Sequence, residues 1–448
     1  MRQRITLGCL ASFLFLGCLL PSSLLGGFAN LGMYYLLRKP VTIRDPVRIE
    51  QEMDRIGADV RTLRGFSGAA PVKHALITPA ALRAQMIGEF QKDYSREQAR
   101  NELEEYAAFG VLDPAFDLYS FYLATYTKYV LGYYDPAEKE LYVVSGAGFG
   151  ASQWSTFAHE YMHALQFQEH NLPADFGSGV DSESASGMQA LIEGEATFVE
   201  DMWQARYFSF GDQVDYYKQS LAALDADYFR IPSFLKQQIY FPYYDGKAFI
   251  NYLYTKGGWA EVDAAYRDLP ADTEMILHPE KYLQGEQPIQ VPKPVLPETL
   301  SGGWHEVRDN IMGEFSIDLI LATRMNTLQA SQAAAGWGGD HYLILRNDST
   351  GFTAVVWHTQ WDTQTDAVEF EAALREYDTR RFGQGLSGSP EECWKAGVVV
   401  CQMHTGGSVW WFYGPDGETV DRLMKGNLSP LTGLDPAILR QPGSFSPL

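Results

Sequence analysis

The window Thr156–Gln168 contains neither Gly nor Pro and holds the run His159-Glu160-Tyr161-Met162-His163. On a helix, residues i and i+4 lie on one face, so both imidazoles can reach a single metal ion. Glu160 lies about 100° around from His159, near enough to engage a metal-bound water without being a ligand itself. Two His ligands and a Glu base on one helix are the parts of a hydrolytic zinc site. The spacing predicts a helix from about Ser155 to His170, with Ser155 as its N-cap. A catalytic zinc also needs a third protein ligand and an open position for water. Downstream, Leu191-Ile192-Glu193-Gly194-Glu195-Ala196-Thr197 places two carboxylates on a second predicted helix, Ser186 to Tyr207. They point about 200° apart, so the two cannot easily share one metal.

With these residues the chain resembles the gluzincin class of zinc metallopeptidases, whose third ligand is a Glu on a later helix. Glu193-Gly194-Glu195-Ala196 is similar to the Glu-Gly-x-Ala segment of the aminopeptidase N-like family. It is also similar to the Glu-x-x-Ala-Asp segment of membrane-associated zinc peptidases, with Thr197 where those have Asp. Both comparisons place the ligand on Glu193. Glu200 and Asp201 are the substitutes on that helix for the missing partner of a His ligand. Tyr243-Tyr244-Asp245-Gly246-Lys247-Ala248-Phe249 and Gly257-Gly258-Trp259 resemble segments that follow the third ligand in uncharacterised bacterial gluzincin-like proteins, and the likeness covers about residues 115–285.

The resemblance implies one Zn2+ per chain, held by His159, His163 and Glu193, with Glu160 as general base. Gluzincins commonly use a Tyr or His to hydrogen-bond the tetrahedral oxyanion, which makes Tyr243, Tyr244 and His278 candidates. It further implies an extended peptide substrate paired to the edge strand that precedes the active-site helix. The expected reaction is peptide-bond hydrolysis. No anchor for a substrate N-terminal amine is identifiable, which favours an endopeptidase. The alternative is a zinc-stabilised extracytoplasmic binding protein with an inactive peptidase site. Glu160 speaks against it, because a structural site has no need of a base. His170 lacks the preceding Gly turn of a metzincin ligand and is expected at the surface, as are Asp181 and Glu183.

Lys+Arg number 35 and Asp+Glu 56, for a net charge of −21, and no Lys/Arg block is present. Nucleic acid is therefore not an expected partner. Adsorption to an anionic lipid surface is opposed by the same charge, so a membrane link has to come from a hydrophobic segment. Arg2 and Arg4 precede an uncharged run from Ile5 to Leu37, closed by Arg38 and Lys39. This segment, residues 1–39, reads as an uncleaved anchor, as a signal peptide cut near Gly27-Phe28-Ala29, or as a lipoprotein leader with Phe15-Leu16-Gly17-Cys18. Each reading puts the remaining chain at the cell membrane or secreted, outside the cytoplasm. Cys393 and Cys401 are the two cysteines beyond it; they flank a candidate hairpin and can bridge in an oxidising compartment.

The expected organisation is α+β. A mostly helical, zincin-like domain with a small edge sheet occupies 40–287. A proline-rich linker follows at 288–298, with Pro288, Pro292, Pro294 and Pro297. A second α+β domain spans 299–448. Residues 40–79 read as linker and short helix, Ala81–Tyr106 as one helix, and Val130–Tyr134 with Leu141–Val144 as a hairpin. Further helices are expected at Gln213–Ala226, Gly246–Leu269, Ile311–Ala335 and Ala367–Arg380. Strands are expected near Tyr342–Leu345, Ala354–Trp357, Val398–Gln402 and Val409–Tyr413.

Overall fold

The computed structural model describes residues 42–432 apart from 129, 145–147, 225, 301 and 388–390. The hydrophobic N-terminal segment, with its three readings, lies outside the described residues. Among the described residues no helix is long and apolar enough to cross a membrane. The chain is α+β and forms two compact units. Of the described residues, one contains those up to 100 and those in 117–286; the other contains 101–116 and those from 287 onward.

In the first unit the Asp45 side chain accepts from the Arg48 amide and opens α1 (Pro46–Arg64). Strand β1 (Lys73–Ile77) follows. The stretch 40–79, expected as linker and short helix, thus holds a 19-residue helix and a strand. The single helix expected over Ala81–Tyr106 is two, α2 (Pro79–Asp93) and α3 (Arg96–Ala108). Ser95 and Gln98 exchange side-chain and amide hydrogen bonds, a capping box that restarts the helix without Gly or Pro. Helix α4 (Leu118–Lys128) leads to the hairpin β2 (Gly132–Asp135) and β3 (Glu140–Val144). The small sheet has the order β1-β3-β2, with β1 parallel to β3 and β2 antiparallel to it.

Helix α5 (Ala151–Glu169) carries the histidine pair. From Ala151 to Phe167 every residue except Gln153 is buried, so this helix is the centre of the unit and not a surface element. It packs against α1, β2, β3, α6 (Ser182–Tyr207) and α7 (Phe210–Ala223). A short α8 (Ala226–Arg230) precedes α9 (Ser233–Gly257) and α10 (Trp259–Ala265). The helix expected over Gly246–Leu269 therefore begins earlier, runs through Pro242, and breaks at Gly258, whose φ of +65° favours glycine. Helices α11 (Thr273–Leu277) and α12 (Pro279–Gln284) close the unit.

Helices α6 and α9 approach until their backbones touch. A β-carbon on Gly194 would sit 2.2 Å from the Gly246 carbonyl carbon, and one on Gly246 would sit 2.2 Å from the Ala190 oxygen. The glycines of the Glu-Gly-Glu and Asp-Gly-Lys segments are thus explained by packing.

The second unit is built on seven antiparallel strands in the order β4-β5-β6-β10-β9-β8-β7. They are β4 (Trp304–Asn310), β5 (Trp337–Asn347), β6 (Thr353–Trp361), β7 (Leu386–Ser387), β8 (Glu391–Lys395), β9 (Val399–Thr405) and β10 (Ser408–Gly414). Between β4 and β5 the helix expected over Ile311–Ala335 divides into α13 (Gly313–Ala322) and α14 (Thr327–Ala334), because Asn326 caps the second by accepting from the Leu328 amide. Helix α15 (Gln364–Phe382) connects β6 to β7, and α16 (Gly417–Thr432) follows β10.

Alternating residues feed the two faces of this sheet. Leu343, Leu345, Val356, Trp410 and Phe412 pack with Val420, Leu423 and Met424 of α16. On the opposite face Phe109 meets Tyr342, Trp357 and Trp411, and Phe370 of α15 meets Trp357 and Trp361. The proline-rich segment is part of this unit too: Val295 exchanges hydrogen bonds with Asn427. Cys393 and Cys401 are cross-strand partners on β8 and β9 and are joined as a disulfide.

Adding a methyl group at the α6–α9 contact leaves no side chain to move aside, only backbone. Gly194→Ala and Gly246→Ala should each destabilise the protein by about 1–3 kcal/mol, the usual cost of overpacking. Denaturant unfolding followed by circular dichroism measures this; an unchanged midpoint in both variants would refute the contact.

Candidate metal centre

Helix α5 starts at Gly150, whose amide donates to Gln153 Oε1 at 3.1 Å. The expected cap, Ser155, is instead inside the helix and fully buried, because its hydroxyl has an acceptor there: Glu200 Oε1 on α6. One turn on, His159 and His163 stand with ring centroids 4.8 Å apart. Helix α6, opened by Asp181 accepting from the Ser184 amide, brings Glu193 to both of them. Glu193 Oε2 lies 3.3 Å from His159 Nε2 and 3.4 Å from His163 Nε2. The outer nitrogens are also engaged. His159 Nδ1 is 3.1 Å from Glu200 Oε2, and His163 Nδ1 is 2.9 Å from Gln166 Oε1. Glu200, one of the two substitutes for the missing Asp, is therefore the carboxylate behind His159. Asp201, the other, pairs with Lys247 of α9 at 2.8 Å.

All of these groups are out of water, His159 being 7%, His163 4% and Glu193 3% exposed. His159 Nδ1 faces a carboxylate and so carries the ring hydrogen, which leaves a lone pair on its Nε2. His163 Nε2 is buried with no hydrogen-bond partner. With neutral rings, two nitrogen lone pairs and a carboxylate oxygen converge on one point, an arrangement that requires a positive charge among them. The titration of the groups expresses the same demand. Burial lowers the pKa of His159, but hydrogen bonds and charge from Glu193 and Glu200 outweigh it and raise the value well above 6.5. His163 is raised likewise against its burial, chiefly by Glu193. Burial pushes Glu193 upward, yet the two imidazoles hold it at about 2.

Glu160 is completely buried, and it belongs with His159 and His163 to a group whose donor atoms all lie within 4.8 Å of one another. Its Oε2 accepts from the Tyr134 amide at 3.0 Å, so the edge strand β2 aims this carboxylate. Gly132 shows how closely strand and helix meet: a β-carbon there would lie 2.9 Å from Thr156 Cγ2. Tyr243 is buried, with its ring 6.2 Å from that of His159 and only 25° from parallel. Tyr244 is 39% exposed and packs edge-on to Tyr240. His278 lies at the junction of α11 and α12 with Nδ1 3.8 Å from Glu280.

Glu195 points to the other side of α6. It is fully buried and pairs with Arg64 of α1, which is 1% exposed. His170, expected at the surface, stacks on Tyr266 with centroids 3.8 Å apart. Glu183, also expected in solvent, is 3% exposed and accepts from the Thr273 amide at 3.0 Å, which ties α6 to α11.

These placements separate the two neighbouring carboxylates. Glu193→Ala should abolish tight zinc uptake in a folded protein. Glu195→Ala strands a buried guanidinium and should cost about 3–5 kcal/mol of stability. Metal analysis together with thermal melting of both variants checks this, and zinc loss confined to the Glu195 variant would reverse the assignment. The metal-free protein should also show a bounded pH range. The raised histidines stabilise it below about 6.5, and that contribution is lost as pH rises through their folded values. The depressed Glu193 stabilises it above about 4.5, and that contribution is lost as pH falls towards 2. Melting temperature against pH should therefore peak between these limits and fall on the alkaline side, where added zinc should restore it.

A family model described as a domain of unknown function (DUF8575) matches residues 298–424. No curated protein and no solved structure matches the chain.

Proposed function

We propose that the first unit is a zincin-like, gluzincin-type metallopeptidase that hydrolyses peptide bonds, most simply as an endopeptidase, outside the cytoplasm. The observation that carries this reading is the convergence of His159 Nε2, His163 Nε2 and Glu193 Oε2 on one buried point. The donor set, two imidazoles and a carboxylate, is that of catalytic zinc. His163 Nε2, buried 3.4 Å from Glu193 Oε2 without a well-formed hydrogen bond, fits such an ion, since a cation between the two atoms gives both a partner. His159, His163 and Glu193 would hold the zinc, which when bound would lower the pKa of a water to about 7 and polarise the scissile carbonyl.

The remaining roles belong to the chain. Glu160, held by the Tyr134 amide, takes the proton of the attacking water and delivers it to the leaving amine. A purely structural metal site has no use for a carboxylate in this position, which weighs against the binding-protein alternative. Tyr243, beside His159, is the better placed of the oxyanion-stabilising candidates. The Cys393–Cys401 disulfide supports an oxidising compartment, in keeping with a membrane-tethered or secreted chain.

Glu160→Gln tests the reading. The substitution keeps size and hydrogen-bonding capacity but cannot accept the proton. Cleavage of a mixed peptide library should fall by about 10²–10⁴-fold, with zinc content and melting temperature nearly unchanged. No cleavage by zinc-loaded wild type across varied peptides would favour the binding protein, and equal cleavage by both would point to a different base.

A further inference from the structure

Gln166 stands one turn beyond His163 on α5 and has no solvent exposure. Its Nε2 donates to the Ile192 carbonyl at 2.9 Å and to Glu195 Oε2 at 2.9 Å. Both partners are acceptors: one is a backbone carbonyl, and the other is a carboxylate paired with Arg64. The amide can therefore sit only one way round, with its NH2 towards α6 and its oxygen towards His163. An oxygen 2.9 Å from His163 Nδ1 obliges that nitrogen to carry the ring hydrogen. The lone pair is then on Nε2, the atom that faces Glu193.

The lock has its own anchor. Glu195 Oε2 also accepts from the Tyr266 hydroxyl, and its Oε1 accepts from Arg64 Nε. The Arg64 guanidinium lies 4.3 Å from the ring centroids of both Phe66 and Trp259, and it pairs with Asp263 as well. Trp259 is fixed in turn by donating Nε1 to the Leu63 carbonyl at 3.0 Å. Every step from Arg64 to His163 is thus a buried, directed interaction.

We propose that Gln166 is the positioning residue of the metal centre: it commits His163 to binding through Nε2, and Glu195 with Arg64 is the buried anchor that keeps its amide from turning over. This rests on the metal-site reading and deepens it. The two histidines are then oriented differently, His159 by the Glu200 carboxylate and His163 by a neutral amide. An outer partner of this kind typically governs metal affinity by 10–100-fold.

The test uses the full chain and zinc alone, with affinity measured by competition against a chelator. Gln166→Met keeps the length of the side chain and removes the amide; zinc affinity should fall about 10–100-fold. Wild-type affinity in a folded Gln166→Met protein overturns the inference, whereas a wild type that takes up no zinc overturns the metal reading beneath it. If Gln166→Met does not fold, long-range proton–nitrogen spectra of zinc-loaded wild type decide. A hydrogen on His163 Nδ1 with the metal on Nε2 supports the inference, and the metal on Nδ1 overturns it.

Discussion

The backbone contact between α6 and α9 at Gly194 and Gly246 sets the depth of the helix that brings Glu193 and Glu200 to the histidine pair. Gly194 lies between Glu193 and Glu195, so fixing its depth against α9 fixes both carboxylates at once. One side of α6 then delivers Glu193 and Glu200 to the histidine pair, and the other delivers Glu195 to Arg64 of α1. Had either glycine carried a side chain, its β-carbon would lie 2.2 Å from the backbone of the other helix, and α6 would have to move by about 1 Å to restore an ordinary contact, carrying Glu193 with it.

Burial gives these carboxylates their influence. In water, a Glu beside a His changes little, because solvent screens both. Inside this unit the same pair holds Glu193 at about 2 and lifts His159 well above its ordinary value. Charge in the interior has to be matched locally, and each buried group finds its match: Glu195 in Arg64 and Tyr266, Glu200 in Ser155, Gln204 and His159, Glu183 in Thr273. The inward atoms of the histidine pair and Glu193 are matched by positive charge, from protons or from a metal.

Much of this was legible in the sequence because helical spacing is a strong constraint. The face shared by His159 and His163, the opposed directions of Glu193 and Glu195, and the hairpin before α5 all follow from periodicity. The α+β class follows as well. What periodicity did not show were the interruptions and the partners. Ser95 and Asn326 end apolar helical patterns by side-chain capping, where no Gly or Pro marks the break. Ser155 has the composition of an N-cap, but the tertiary acceptor Glu200 uses its hydroxyl inside the helix. Gln166 carries no signal on its own, since an amide gains meaning only from acceptors on another helix. Residue type alone places Glu183 and His170 in solvent, whereas the fold buries the first and stacks the second on Tyr266.

The segment 101–116 belongs with the sheet that is otherwise assembled from residues beyond 287. Phe109 stacks on Trp411, Glu105 pairs with Arg308, and the Tyr377 hydroxyl donates to the Phe109 carbonyl. The matched family segment, 298–424, contains the sheet but not this strap. A cut through the proline-rich stretch would consequently not separate two self-sufficient pieces. The carboxyl-side fragment would leave with an open aromatic face of Tyr342, Trp357 and Trp411, and with a half-buried Arg308 deprived of its carboxylate. In chain order the two units interleave: the stretch 117–286 of the first lies between the strap 101–116 and the rest of the second. Synthesis must therefore complete the whole catalytic candidate before the strap made earlier can find its sheet.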